Sequence, residues 1–148
     1  MPPHAADPQG RWFAWVTEPA GIYDFTPAGV HVHDDYARFL EGEVTRLAER
    51  VWGTERRLYF VHDWRLVRTY SVSVRAHLVK WGLSAFGRER VESITALLAD
   101  DSPTLVKMAC TVGVTLMAAG GVRMQVRTPA QLSWERELRP AALDRPRP

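Results

Sequence analysis

The stretch LYFVHDW, residues 58–64, decides the fold of this chain. Its first four residues are all apolar or aromatic, which predicts a strand covered on both faces, as in the interior of a parallel sheet. The strand ends on Asp63, and Trp64 opens the connection to a helix that starts at Ser71 or Ser73. In open α/β folds, working side chains gather where strands end and the next helices begin. This stretch therefore predicts the fold class and the place of a site.

Outward from this strand, strands and helices alternate. A hairpin of strands at 11–17 and 22–25 and an amphipathic helix closed by Gly53 come before it. After it we expect a helix to about residue 86, a strand at 91–98, a helix at 104–119, a strand at 122–126 and a last helix with Trp134 and Leu138. The order β-β-α-β-α-β-α-β-α implies an α/β fold with a mixed sheet of four to five strands and helices mainly on one face.

Length and composition predict one globular domain. We assign residues 1–10 to a disordered N-terminal segment, 11–138 to a single domain and 139–148 to a tail rich in Pro and Arg. A formal charge of +2 with no basic stripe gives no support for nucleic-acid binding. No secretory signal is expected, and the longest apolar run is interrupted and too short for a membrane span, so we expect a cytoplasmic protein. The lone Cys110 is expected to be a buried hydrophobe.

The element order and residues 59–78 resemble the STAS domain of anti-sigma factor antagonists and their SpoIIAA-like relatives, a bacterial signalling family. Asp63 falls on the family's strand-end Asp, and residues 71–74, Ser-Val-Ser-Val, fall on its Asp-Ser-Ser-Gly motif. Three of the four motif positions differ, and the second Ser is kept as Ser73. The resemblance implies that Ser73 is the phosphoacceptor of a partner serine kinase, with Ser71 as a neighbouring candidate.

The residues themselves leave two roles open for these serines. Either hydroxyl could cap the helix, for which Ser is a preferred residue. A phosphate there would be favoured by the helix N-terminus, and Arg75 could pair with it. Next to them, Asp63, Trp64 and Arg65 form a candidate partner-binding surface, because an apolar ring on a loop is often an interaction anchor.

Catalytic and metal sites are not predicted. His62 and Asp63 are adjacent on a strand and point to opposite faces, so they are badly placed to act together on Ser73. His31 and His33 lack a third ligand for zinc. No Gly-rich loop follows a strand, so we expect neither a nucleotide nor another cofactor.

Two functions from different classes remain. The leading hypothesis is a non-enzymatic regulatory module that binds a protein partner, such as a serine kinase or an anti-sigma-type regulator, through the surface from Asp63 to Arg75. The alternative is a small-ligand or lipid-binding domain similar to the STAS and SEC14-like relatives, with an apolar pocket between the sheet and the helix 104–119. That helix is almost uncharged, so it is either deeply buried or exposes an apolar strip. The first hypothesis predicts an exposed apolar patch near Trp64, and the second predicts an enclosed cavity.

Overall fold

Strand β4 (Leu58–Asp63) lies in the interior of a six-stranded mixed sheet in the computed structural model, which describes residues 3–131. The strands follow one another in space as they do along the chain. The first three pair antiparallel, and the last four pair parallel. The other strands are β1 His4–Ala6, β2 Phe13–Thr17, β3 Gly21–Phe25, β5 Val91–Leu97 and β6 Met124–Arg127. The predicted α/β class, mixed sheet and interior position of the 58–61 strand are confirmed, whereas the sheet has six strands rather than the predicted four to five.

The helices fill the connections between the parallel strands. Because such crossovers are right-handed and each joins adjacent strands, the connecting helices share one face of the sheet. They are α1 Asp34–Phe39, which continues through a π-helical segment Leu40–Val44 into α2 Thr45–Trp52, then α3 Val72–Gly82, α4 Ala85–Arg90 and α5 Thr104–Ala119, with a 3₁₀ turn at Pro129–Gln131. Among residues 3–131, no helix combines the length and apolar character needed to cross a bilayer.

Side chains along a strand alternate between the two faces of the sheet, so the apolar residues form two separate clusters. Phe60 and Ile94 face the helices and join the main core. Val61, the residue after Phe60, and Leu97, three residues after Ile94, point to the opposite face and pack with Tyr23. That face of β4 is only partly covered, because Tyr59 is 43% exposed, so the prediction that both faces are covered holds only in part.

The structure differs from the predicted elements at several boundaries. Residues 4–6, within the segment predicted to be disordered, pair with β2 as an edge strand. The predicted helix to residue 86 is broken after Gly82, because Ser84 caps a new helix by accepting from the Gly87 backbone N–H at 3.4 Å. Gly87 lies inside α4 rather than ending a helix, and a Cβ on it would lie 1.8 Å from the Gly82 carbonyl oxygen.

Two helix ends show how local chemistry sets the boundaries. His33 caps α1, because its ring accepts from the Asp35 backbone N–H at 3.3 Å. Gly53 closes α2 with a φ of 78°, a conformation that favours glycine, as predicted. The expected last helix with Trp134 and Leu138, and the tail 139–148, lie outside the described residues.

Candidate functional site

An apolar cavity lies between α3, α5 and the helix-facing side of the sheet. Its empty volume is about 600 Å³, including the part open to solvent. The sheet contributes Ile94 and Ala96, and the two helices contribute Val74, Leu78, Trp81, Cys110, Gly113 and Met117. Residues with polar groups also line it, among them His62, Trp64, Tyr70 and Arg75. This is the place between the sheet and the helix 104–119 where the ligand-binding hypothesis predicts a pocket.

A buried polar network of Asp24, Tyr36 and His62 borders this cavity. Asp24 and His62 are direct neighbours in the register of β3 and β4, so their side chains meet on the helix-facing side. The carboxylate of Asp24 is fully buried, with Oδ2 2.5 Å from His62 Nδ1, and it accepts a hydrogen bond from the Tyr36 hydroxyl through Oδ1. Burial and the charge of Asp24 raise the pKa of Tyr36 well above its ordinary value, so this hydroxyl stays a donor.

Trp64 belongs to the same network, although the sequence predicts it as an exposed anchor. Its indole is buried, with 6% of its surface exposed, and Nε1–H donates to the Tyr36 hydroxyl oxygen at 3.2 Å. The ring also packs edge-on against Tyr36 at 5.8 Å between centroids. Burial is favourable because the N–H has a partner inside the core. The prediction that Trp64 is an exposed anchor is therefore wrong, because the indole is an internal member of the network.

Asp63 points away from the cavity, to the opposite face of the sheet. It is fully buried, accepts from the Tyr23 hydroxyl, and takes Nε and Nη2 of Arg65 at 2.9 and 2.7 Å. The same carboxylate raises the pKa of the Arg65 guanidinium, which stays charged. As predicted, adjacent His62 and Asp63 point to opposite faces of the sheet. Asp63 is fully buried, whereas 32% of the Arg65 side chain that pairs with it is exposed.

The two candidate phosphoacceptors lie at the start of α3, on the outside of the molecule. Ser71 is the N-cap residue, and its hydroxyl lies 3.0 Å from His31 Nε2 instead of bonding to the helix backbone. Ser73 is exposed and donates to Oδ2 of Asp34 at 3.0 Å. Both hydroxyls are thus engaged in contacts between the start of α3 and the residues around the start of α1.

Arg75 is the predicted site residue that the structure brings to the cavity together with Trp64. It is partly buried on α3 and lines the wall, and it forms no ion pair with any residue from 3 to 131. The serines, Asp63 and Arg65 lie elsewhere. Within those residues no group of three or more His, Cys, Asp or Glu side chains could hold a metal ion.

Cys110 adds a thiol to the cavity wall. It is 5% exposed, and burial raises the pKa of the thiol to about 12. A thiol with such a pKa is almost fully protonated at neutral pH and is a poor nucleophile. It therefore acts on the wall as an apolar surface with a weak S–H donor.

Asp24 and Tyr36 belong to the site although neither is predicted as a site residue from the sequence. Asp24 interrupts the apolar strand 21–25, and a charged residue within such a strand indicates either solvent exposure or a buried partner. Tyr36 lies at a position with the helical spacing of core residues, so the sequence pattern does not indicate that its hydroxyl makes a polar contact. The pairing of Asp24 with His62 depends on strand register, which no single segment of sequence specifies.

Comparison of the chain with protein-family models, curated proteins and solved structures gives no match. The function is therefore inferred from the geometry of the cavity and of the surface.

Proposed function

We propose that this chain binds a small, largely apolar molecule in the cavity between α3, α5 and the sheet. The observation that carries this proposal is a partly open, mainly apolar cavity, whose empty volume of about 600 Å³ includes the part open to solvent. Ligand sites are typically concave and mainly apolar, with a few polar groups. Val, Leu, Ile and Met side chains form much of the lining, so it favours a ligand with an apolar body.

The expected affinity follows from the area that such a ligand buries. Transfer of about six methylene groups from water contributes about 5 kcal/mol. The loss of translational and rotational freedom on association offsets a large part of this gain. We therefore expect weak to moderate binding, in the micromolar to millimolar range, for a simple hydrocarbon probe.

Titration with 1-aminoanthracene, a neutral apolar fluorophore, tests the proposal. We expect its fluorescence to rise on binding and Ala109→Leu, which enlarges a buried wall residue, to weaken binding at least tenfold. Ala118→Leu is the matched control, because Ala118 is exposed on the same helix. Absence of binding to the wild type, or equal binding by both variants, would contradict the proposal.

We propose further that the bound molecule is not turned over. Ser73 is hydrogen-bonded to Asp34 at the surface, while the imidazole of His62 is held by Asp24 in the interior. The Cys110 thiol stays protonated. We expect background rates with ester, phosphoester and peptide substrates, and no change on Ser73→Ala.

A second candidate function is binding of a protein partner, as the resemblance to STAS domains implies. A specific observation favours it: α5 exposes an apolar strip at helical spacing, with Leu105 at 69%, Met108 at 57%, Val112 at 38% and Leu116 at 42% of their surfaces exposed. The nearest charge on this helix is Lys107. We propose an amphipathic helix of another protein as the occupant, since a helix can match a strip of this kind along its length.

Met108→Glu and Val72→Glu form a matched pair for this second candidate. Both residues are exposed and apolar, but Val72 lies on α3 outside the strip, with 74% of its surface exposed. We expect Met108→Glu alone to abolish capture of a partner from lysate. Sedimentation of the purified protein distinguishes a second copy of the chain as the occupant, and equal capture by both variants would exclude the strip.

The serine switch stays a proposal within this second candidate. A phosphate on Ser73 would replace its hydrogen bond to Asp34 with repulsion between two negative groups. We propose that phosphorylation would weaken the contact between α1 and α3. We expect a lower melting temperature for Ser73→Asp than for the isosteric Ser73→Asn.

A further inference from the structure

The polar network beside the cavity determines which ring nitrogen of His62, a residue of the cavity wall, donates a hydrogen bond. The buried carboxylate of Asp24 has two neighbours that can donate to it, the Tyr36 hydroxyl and Nδ1 of His62. A buried carboxylate is stable only when its oxygens accept hydrogen bonds. Nδ1 of His62 therefore donates to Asp24, and in the neutral ring Nε2 is the nitrogen that is left as an acceptor.

Nε2 of His62 has no partner within the described part of the chain. The side chain is only 10% exposed and lines the cavity, and its other nitrogen is turned to Asp24. The indole N–H of Trp64 is already used by Tyr36, and the Cys110 thiol is at best a weak donor. Nε2 is not among the fully buried polar atoms that lack a partner, so it is the accessible nitrogen of a side chain that is otherwise nine-tenths buried. When it carries no proton, it can accept a hydrogen bond.

We propose that the cavity is selective for apolar molecules that carry one hydroxyl group, an alcohol or a phenol, which donates its proton to Nε2 of His62. This inference rests on the proposed binding function and deepens it. The apolar walls accept the body of the ligand, while Nε2 fixes its orientation. Asp24 and Tyr36 are positioning residues, because they hold the imidazole in the acceptor state without touching the ligand.

Three probes of one shape test the proposal by calorimetric titration: propylbenzene, 4-propylphenol and 4-propylbenzoate. We expect 4-propylphenol to bind about tenfold more tightly than propylbenzene, the size of one net hydrogen bond. Equal affinities for these two would overturn the hydroxyl selectivity while leaving apolar binding intact. Tightest binding of 4-propylbenzoate would overturn it in favour of an anion at Arg75. Failure of all three probes would contradict the proposed function itself.

His62→Phe removes the acceptor and keeps an aromatic ring. We expect this variant to bind propylbenzene as the wild type does and to lose the tenfold preference for the phenol. Because loss of the Asp24 partner could prevent folding, a second measurement uses the unmodified protein labelled with ¹⁵N-histidine. We expect His62 to be the Nδ1–H form, with an Nε2 resonance that shifts on addition of 4-propylphenol and not of propylbenzene. An Nε2–H form, or no difference between the probes, would overturn the inference.

Discussion

Asp24 and Asp63 are both fully buried carboxylates on neighbouring strands, and each accepts a hydrogen bond from a tyrosine, yet they lie on opposite faces of the sheet. On the helix-facing side, the second partner of Asp24 is an imidazole. On the opposite side, Asp63 accepts from the backbone N–H, Nε and Nη2 of Arg65.

The difference between these partners separates a structural site from a binding site. The guanidinium of Arg65 neutralises Asp63 and meets it with several donors, so that side is internally complete. An imidazole gives one donor to Asp24 and keeps a second nitrogen for another molecule. Asp24, whose second partner supplies only one donor, therefore lies on the side of the sheet that borders the cavity.

The largest expected effect concerns Cys110 on the cavity side. Since burial raises the pKa of its thiol to about 12, only about one thiol in ten thousand is ionised at pH 8. We expect alkylation by iodoacetamide at this pH to be about a thousandfold slower in the folded protein than in urea. The folded rate should rise about tenfold per pH unit below the pKa. Folded and unfolded rates within tenfold of each other would show that this wall is open.

Asp63→Ala tests how much the pair of Asp63 and Arg65, on the face of the sheet away from the cavity, contributes to stability. It removes the fully buried acceptor of the Tyr23 hydroxyl and of the Arg65 guanidinium, and loss of such a charged acceptor costs about 3 kcal/mol of unfolding free energy. Urea unfolding measures the loss. Asp101→Ala is the control, because Asp101 pairs with Arg68 at the surface and should cost about 0.5 kcal/mol or less. Similar losses in the two variants would contradict a structural role for the Asp63 pair.

Two tyrosine substitutions compare the sides directly. Tyr36→Phe removes a donor to Asp24 and leaves the Trp64 N–H without its acceptor, so we expect the unfolding free energy to fall by about 2 kcal/mol. Tyr23→Phe leaves Asp63 with its Arg65 donors, so we expect about 1 kcal/mol. Both losses are measured by denaturant unfolding. A larger loss of unfolding free energy for Tyr23→Phe would show that Asp63, rather than Asp24, depends more on its tyrosine donor.

Gly113→Ala gives the smallest effect and tests the space within the cavity. A Cβ on Gly113 would lie 3.5 Å from Sδ of Met124, an ordinary contact distance. Because Gly is unfavourable inside a helix, we expect Ala to raise the unfolding free energy by about 0.5–1 kcal/mol. Gly87→Ala is the contrasting control, since its Cβ would collide with the Gly82 backbone. Destabilisation by Gly113→Ala would indicate that the cavity wall is already tightly packed.

Much of the fold is predictable because the signals are local. The apolar run 58–61 marks an interior strand, and Gly53 marks the end of a helix. The break between α3 and α4 was not predicted, because it depends on the Ser84 cap and on the close approach of Gly87 to Gly82. The strand at 4–6 was missed because an edge strand of three residues depends on its neighbour for stability.

The α/β class, the interior position of β4 and the opposite directions of His62 and Asp63 can be predicted from the sequence. Each follows from the spacing of residues along one segment. Which distant groups meet depends on the tertiary structure. The register of β3 and β4 placed Asp24 beside His62, and the packing of α1 brought Tyr36 to both. Trp64 was buried because that assembled network offered its N–H a partner, and the cavity exists because α3 and α5 do not close completely over the sheet. These contacts join residues far apart in the chain, so no single segment specifies them.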